Sequence, residues 1–277
     1  MIYASDLDQT LIYSQPPERA ELLGERIMIA ELIDGKVRSY MSASTYERLQ
    51  ALMNELIFIP VTTRTIEQYR RIHLISQMLK PKYAVTSNGG NVLVDGQVDV
   101  EWRDFVRSRV RETSTPVEDI LPVMQDVLHQ DWVISSSWCD ELFFSHIVER
   151  DRMPLKEMND LSAQLQGRGW RTSIQGRKVY IVPEAVSKGG AVSHLQKVLG
   201  GRKIVASGDS LLDQSLLDVA DFAIAPGHGE LFRQEQMGQS GNYRFTEESG
   251  IFAADHITMF VQSTHTEHKK LLAKESS

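Results

Sequence analysis

Short, wholly apolar runs alternate along the chain with segments whose apolar residues recur every three or four positions. Residues 2–5, 57–61, 83–85, 204–206 and 222–224 are the short runs. Their length and lack of polar alternation predict strands buried on both faces of a parallel sheet. The segments between them predict helices. Ser44 to Glu47 has the spacing of a capping box, with Leu49, Leu52, Met53 and Leu56 on one face behind it. Thr65 to Gln68 is a second box, opening a helix that carries Ile72, Ile75 and Leu79. Val192, Leu195, Val198 and Leu199 form a third stripe, ended by Gly200 and Gly201. Leu212, Leu216 and Val219 form a fourth. Strands alternating with helices predict an α/β fold built on a doubly wound, mostly parallel sheet.

The middle of the chain follows another pattern. Residues 91–98 read as a hairpin turning at Asp95 and Gly96. Residues 132–137 and 142–148 read as paired strands, 155–165 as a helix, and 171–174 with 178–182 as a hairpin around Gly176. This α+β pattern predicts an inserted module over residues 89–184, which leaves the core discontinuous, 1–88 and 185–277. A further hairpin, 27–33 with 37–41, turns at Asp34 and Gly35.

Composition narrows the function classes. The chain has 277 residues and a formal net charge of −7, so no global basic field suggests a nucleic-acid partner. An anionic ligand needs a local cationic site. The one cysteine, Cys139, excludes an internal disulfide and a multi-cysteine zinc site. No apolar run is long enough to span a bilayer, and the first residues lack a signal-peptide pattern. The expected setting is the cytoplasm, with no membrane partner.

Chemistry-bearing residues fall after the expected strands, where open α/β sheets bind ligands. Asp6-Leu7-Asp8-Gln9-Thr10 follows the first strand. Two carboxylates two residues apart can divide labour, one attacking phosphorus and the other moving a proton. The plain alternative is a solvated acidic loop. Thr62-Thr63-Arg64 follows the second strand, where Thr62 either binds a phosphate oxygen or merely caps a helix. Lys188 opens a helix and can neutralise phosphate or the carboxylates, although an isolated lysine is more often a surface group. Gly208-Asp209 and Asp213 follow a later strand. Four carboxylates at one sheet edge repel one another unless a cation joins them, and hard oxygen ligands suit Mg²⁺.

In order and placement these four elements resemble the motifs of the haloacid-dehalogenase (HAD)-like hydrolases: D-x-D-x-T, a Thr after the second strand, a Lys before a helix, and G-D-x-x-x-D or a near variant. The inserted module resembles the large α/β cap of the Cof-type and sucrose-phosphatase-like branch, as does the strand 84–87 followed by Asn88-Gly89. Thr63 departs from the branch's usual T-G-R. The resemblance implies a HAD-like Rossmannoid core with an inserted α+β cap domain, acting as a Mg²⁺-dependent phosphatase on a small phosphorylated substrate such as a sugar phosphate.

By the same resemblance Asp6 attacks phosphorus and forms an aspartyl-phosphate, and Asp8 is the general acid and base. Thr62 and Lys188 bind the transferring phosphoryl group. Mg²⁺ is held by Asp6, the main-chain carbonyl of Asp8 and Asp209. Asp213 supports either Lys188 or the metal, and Thr10 orients Asp8. Thr10, Arg64, Asn88 and Arg177 stand as substrate-binding candidates, Arg177 against the plainer reading of an exposed turn residue. A phosphomutase and a non-catalytic sugar-phosphate sensor are the alternatives. Arg103, Arg107 and Arg111 share one face of an expected helix and read as solvated; His265 and His268 read as part of a polar C-terminal tail.

Overall fold

The computed structural model describes residues 1–14, 24–238, 241 and 243–275. The first stretch runs β1 (Ile2–Ser5), β2 (Ile27–Ile33), β3 (Lys36–Ser42), α1 (Ala43–Leu52), β4 (Ile57–Pro60), α2 (Ile66–Arg70), β5 (Tyr83–Thr86), β6 (Asn91–Val94) and β7 (Gln97–Val98). The middle runs α3 (Val100–Thr113), α4 (Val117–Gln125), β8 (Val133–Cys139), β9 (Phe143–Val148), α5 (Leu155–Gln166), β10 (Trp170–Gln175) and β11 (Lys178–Pro183). The last stretch runs α6 (Lys188–Val198), β12 (Ile204–Ser207), α7 (Gln214–Asp218), β13 (Phe222–Ala225), α8 (Glu230–Gln236), β14 (Arg244–Phe245) and α9 (Ile251–Glu275). Two units result, Met1–Val98 with Lys188–Ser277, and Asp99–Ser187. None of the described helices is long and apolar enough to cross a membrane.

The first unit is built on a parallel sheet of order β14-β13-β12-β1-β4. Within it β1, Ile2-Tyr3-Ala4-Ser5, lies between β12 and β4 and is buried along its whole length, as a strand covered on both faces must be. Register matters most at its end. Ser5 lies opposite Pro60 on one side and Ser207 on the other, so the loops after all three strands leave the sheet at one level. A single bridge from Val61 to Val85 continues this edge to β5, which pairs antiparallel with β6.

That pairing moves the expected boundary of the inserted module. The hairpin at Asp95 and Gly96 forms with both residues in the left-handed region, but β6 is hydrogen-bonded to β5 and stays with the first unit. The division therefore falls at Asp99 rather than residue 89, and at Ser187 rather than 184. Local patterning finds a hairpin; only sheet pairing says which body owns it.

Three local expectations change. Helix α1 is capped by Ser42, whose hydroxyl accepts from the Thr45 amide, and not by Ser44. Ser42 ends β3 in extended backbone, the conformation an N-cap requires. Ser44 donates instead to Asp255 of α9 at 2.6 Å. The Thr65–Gln68 capping box forms, yet the helix it opens ends at Arg70, and Leu74–Leu79 continues as a π-helix. The C-terminal segment is the 25-residue helix α9, not a polar tail. It buries Ala253, Ala254, Ile257 and Val261, and His265 is only 6% exposed beside Met1 and Glu55.

The second unit is an antiparallel sheet of order β10-β11-β9-β8 with α4 and α5 packed on one face. Ile120 and Met124 of α4 meet Met158, Leu161 and Leu165 of α5 over Phe144, Val148, Val179 and Ile181. Arg107 of α3 pairs with Glu141 at 2.9 Å on the exposed surface, in keeping with a solvated face. Cys139 is buried, and burial, helped by Asp140, pushes its thiol up to about 11, which makes it an inert apolar group.

His146 on β9 is the unit's acid-sensitive point. Its Nδ1 lies 2.7 Å from the Ser136 hydroxyl, its Nε2 is buried with no hydrogen-bond partner among the described residues, and it stacks on Phe144. Burial pulls its pKa from 6.5 to about 4. Between those values the unfolded chain takes up a proton that the folded state refuses, so stability falls with pH by about 1.4 kcal/mol per unit, roughly 3 kcal/mol in all. Below about 4 the folded ring protonates too, and this loss stops. Thermal melts between pH 7 and 4 are expected to lose that slope in His146→Asn, whose amide keeps a partner for Ser136. An unchanged slope would contradict the assignment.

Candidate active site

The site grows from the level end of the sheet. The Asp6 amide donates to the Ser207 carbonyl at 2.9 Å, and Val61 donates to the Ser5 carbonyl at 2.7 Å. The loops 6–12, 61–65 and 208–213 thus start side by side although they are far apart in sequence. Below them Ser5, Ser207 and Tyr3 form a buried chain of hydroxyls, with Ser5 donating to the Asp6 carbonyl at 2.7 Å.

Asp6 is 5% exposed and held from two sides. Lys188 Nζ donates to Oδ1 at 2.6 Å and Thr10 Oγ1 donates to Oδ2 at 3.1 Å. Burial, then repulsion from Asp213, pushes the Asp6 carboxyl up to about 7 against the pull of Lys188. Lys188, 1% exposed, is no surface lysine. It opens α6 and reaches both Asp6 and Asp213, the latter at 2.5 Å. Burial alone would lower its pKa; the charges of Asp213 and Asp6 outweigh it and hold the ammonium firmly protonated.

Asp213 is committed to structure. One oxygen takes Lys188, and the other accepts the amides of Asp209 and Ser210 and the Ser210 hydroxyl. Of the two roles expected for it, support of Lys188 is the one its contacts fill. Its side chain also explains Gly208, where a Cβ would lie 2.4 Å from that of Asp213. Asp209 is raised well above the carboxylate range by burial and by Asp6 and Asp213. Oxygens of Asp6, Asp209 and Asp213 lie within 4.8 Å of one another. One ammonium among three carboxylates leaves excess negative charge, an arrangement that fits a divalent cation with oxygen ligands.

Two expected roles change at the edge of this cluster. Thr10 is fully buried and directs its one hydroxyl proton at Asp6, not at Asp8, so that proton is not offered to a substrate. Arg64 is occupied by protein carboxylates rather than presented to a ligand. Its Nε and Nη2 donate to the two oxygens of Asp8, both at 2.7 Å, and Nη1 donates to Glu31 at 2.7 Å. Such a fork fixes the plane of the Asp8 carboxylate. Glu31 escaped the sequence reading; its only signal is a lone acid inside the apolar run of β2, where it is 2% exposed.

Thr62 is fully buried, and its hydroxyl accepts the Arg64 amide at 3.1 Å, which leaves its own proton for a ligand. Capping of α2 falls to Thr65, so capping does not account for Thr62. Asn88, a substrate-binding candidate, is 1% exposed, as buried as Lys188. Ser87, Asn88 and Gly89 are all left-handed, and the amides of Ser87 and Asn88 bind the carbonyls of Arg64 and Thr62. Two strained residues, followed by a glycine that takes the same hand without strain, thereby hold the Thr62 loop in place. Arg177 belongs to the second unit, where it is exposed in the turn between β10 and β11.

The architecture is shared with solved structures. The sucrose-phosphatase from Synechocystis sp. PCC6803, solved with sucrose and phosphate, is 17% identical with a TM-score of 0.67, over 95% of this chain and 97% of that one. A haloacid dehalogenase-like hydrolase from Bacteroides thetaiotaomicron is 15% identical with a TM-score of 0.56, over 92% and 98%. A trehalose-6-phosphate phosphatase related protein is 16% identical with a TM-score of 0.52, over 97% and 100%. No curated protein sequence matches the chain. Fold and motifs together define a phosphoric monoester hydrolase of the haloacid-dehalogenase superfamily. Within that class, the profile of the sucrose-6F-phosphate phosphohydrolase family matches residues 1–228, and the chain belongs to that family. It is a sugar phosphatase of the sucrose-phosphatase type.

Proposed function

We propose that this chain hydrolyses a small sugar phosphate, of the sucrose 6-phosphate kind, through a phosphorylated Asp6. The observation that carries the reading is the buried Lys188 bridging Asp6 and Asp213 beside Asp209, at the end of the strand that positions Asp6. An Asp6 oxygen attacks phosphorus as the bond to the sugar oxygen breaks, and Asp8 gives that oxygen a proton. Water then attacks the same phosphorus, Asp8 takes its proton, and the Asp6 carboxylate is regenerated with release of phosphate.

The remaining residues serve charge and geometry. Lys188 and the Thr62 hydroxyl face the phosphoryl oxygens, where fixed donors stabilise the charge that builds up. Arg64 and Glu31 hold Asp8 in one orientation, and Thr10 holds Asp6. Asp6 and Asp209, with the Asp8 main-chain carbonyl, are the residues that would hold Mg²⁺. That ion supplies charge neutralisation that lets one anion approach another. Arg177, in the second unit, is a candidate for binding the sugar.

A phosphate-release screen over sugar phosphates, nucleotides and phospho-acids tests the reading. Turnover of at least one sugar phosphate is expected with Mg²⁺, with complete loss in EDTA and recovery on adding Mg²⁺ back. Binding of sugar phosphates without any release, at any Mg²⁺ concentration, would make the chain a sensor and not an enzyme.

A further inference from the structure

Gln9, directly after Asp8, holds a φ of 64°, in the left-handed region that non-glycine residues avoid. Its amide is bound within the loop, to the Ile12 carbonyl at 2.8 Å. Its carbonyl turns the other way, to His228 Nε2 at 3.1 Å. The second ring nitrogen settles which atom carries the proton. Gly250 N–H donates to Nδ1 at 3.2 Å, so the proton sits on Nε2 and is donated to Gln9. Burial lowers the pKa of this ring, which favours the same neutral form. The Tyr13 ring lies against His228, centroids 5.8 Å apart, and its hydroxyl donates to the Thr10 carbonyl at 3.0 Å.

The loop that bears His228 also grips the other acidic loop. Leu231 N–H donates to the Asp209 carbonyl at 3.1 Å, and Glu230 accepts the Leu211 amide at 3.0 Å. Gly229 packs so tightly on Asp209 that a Cβ there would come within 2.5 Å of its carbonyl oxygen. Residues 228–231 therefore touch both the Asp6–Gln9 turn and the Asp209–Asp213 turn.

We infer that His228 is a positioning residue for the loop that carries Asp8, acting through the Gln9 carbonyl. The inference rests on the role of Asp8 proposed above. A left-handed Gln9 is metastable by itself, and the His228 hydrogen bond rewards the one peptide orientation that aims Asp8 at Arg64. Releasing it lets the Asp8 carboxylate drift, and misplacement by about 1 Å costs on the order of 10²-fold in rate.

Two conservative variants separate positioning from bulk packing. His228→Gln sets an amide N–H near the Nε2 position, whereas His228→Asn reproduces only the Nδ1 acceptor. With sucrose 6-phosphate and p-nitrophenyl phosphate as probes, His228→Asn is expected to lose about 10–10²-fold in kcat at nearly unchanged KM. His228→Gln should stay within a few-fold of wild type. The NMR signal of the Arg64 Nε–H, which reports its pairing with Asp8, should exchange faster with solvent in His228→Asn and remain protected in His228→Gln. Equal behaviour of the two variants, or an Arg64 signal indifferent to both, would overturn the inference. A wild-type protein that hydrolyses neither ester would instead count against the proposed function, and the Arg64 signal would still decide the role of His228.

Discussion

Asp6→Asn is expected to release no phosphate from any sugar phosphate at any Mg²⁺ concentration, while folding as well as the wild type. The amide has the shape of the carboxylate but is not a nucleophile, so no phosphorylated intermediate forms. The stability side of the prediction follows from the same contacts. Asp6 sits, 5% exposed, beside Asp213 and Asp209 with one ammonium to share, and burial and the neighbouring carboxylates disfavour its charge and raise its pKa. Replacing that charge by a neutral amide relieves repulsion, and Lys188 keeps Asp213 as its partner. In EDTA the variant should therefore melt at or above the wild-type temperature. Full loss of activity with a lowered melting temperature would mean that the substitution damages the fold, and retained activity would end the assignment of Asp6 as nucleophile.

Lys188→Met should lose activity and stability together. Methionine matches the length of the aliphatic stem but leaves Asp6 and Asp213, both nearly inaccessible, without their cation. Breaking a buried pair in this way costs about 3–5 kcal/mol, because the stranded charge is more costly than the pair is favourable. Loss of a fixed donor to the phosphoryl group should slow turnover by at least about 10²-fold. The double variant Lys188→Met/Asp213→Asn distinguishes the two effects. Removing the stranded charge at position 213 should restore part of the stability and none of the turnover. Denaturant unfolding and phosphate release on the same samples give both answers, and a stable, active Lys188→Met would refute the role drawn for this residue.

The sequence carried the scaffold because strand and loop signals are local. The five short apolar runs form β1, β4, β5, β12 and β13, and the turns at Asp34-Gly35, Asp95-Gly96 and Gly176 fall where their residue types place them. The order of the acidic and basic motifs after those strands was likewise visible, since a motif and the strand before it are neighbours in the chain. Capping was less secure. Ser42 and Ser44 both suit an N-cap, and only the extended backbone at the end of β3 selects Ser42.

Which partner each side chain takes was decided by tertiary structure. Sequence placed Asp6, Asp8, Thr62, Arg64, Lys188, Asp209 and Asp213 near one sheet edge; it could not say that Thr10 serves Asp6, that Arg64 is shared by Asp8 and Glu31, or that His228 reaches the Gln9 carbonyl. Those pairings join residues as far as 219 positions apart, and they depend on close register between strands that share no local signal. The C-terminal segment, read as a polar tail, is the helix α9, which buries Ile257 and Val261 in the core of the first unit. Local propensity is read from neighbours in the chain, whereas charge pairing and burial are settled by neighbours in space.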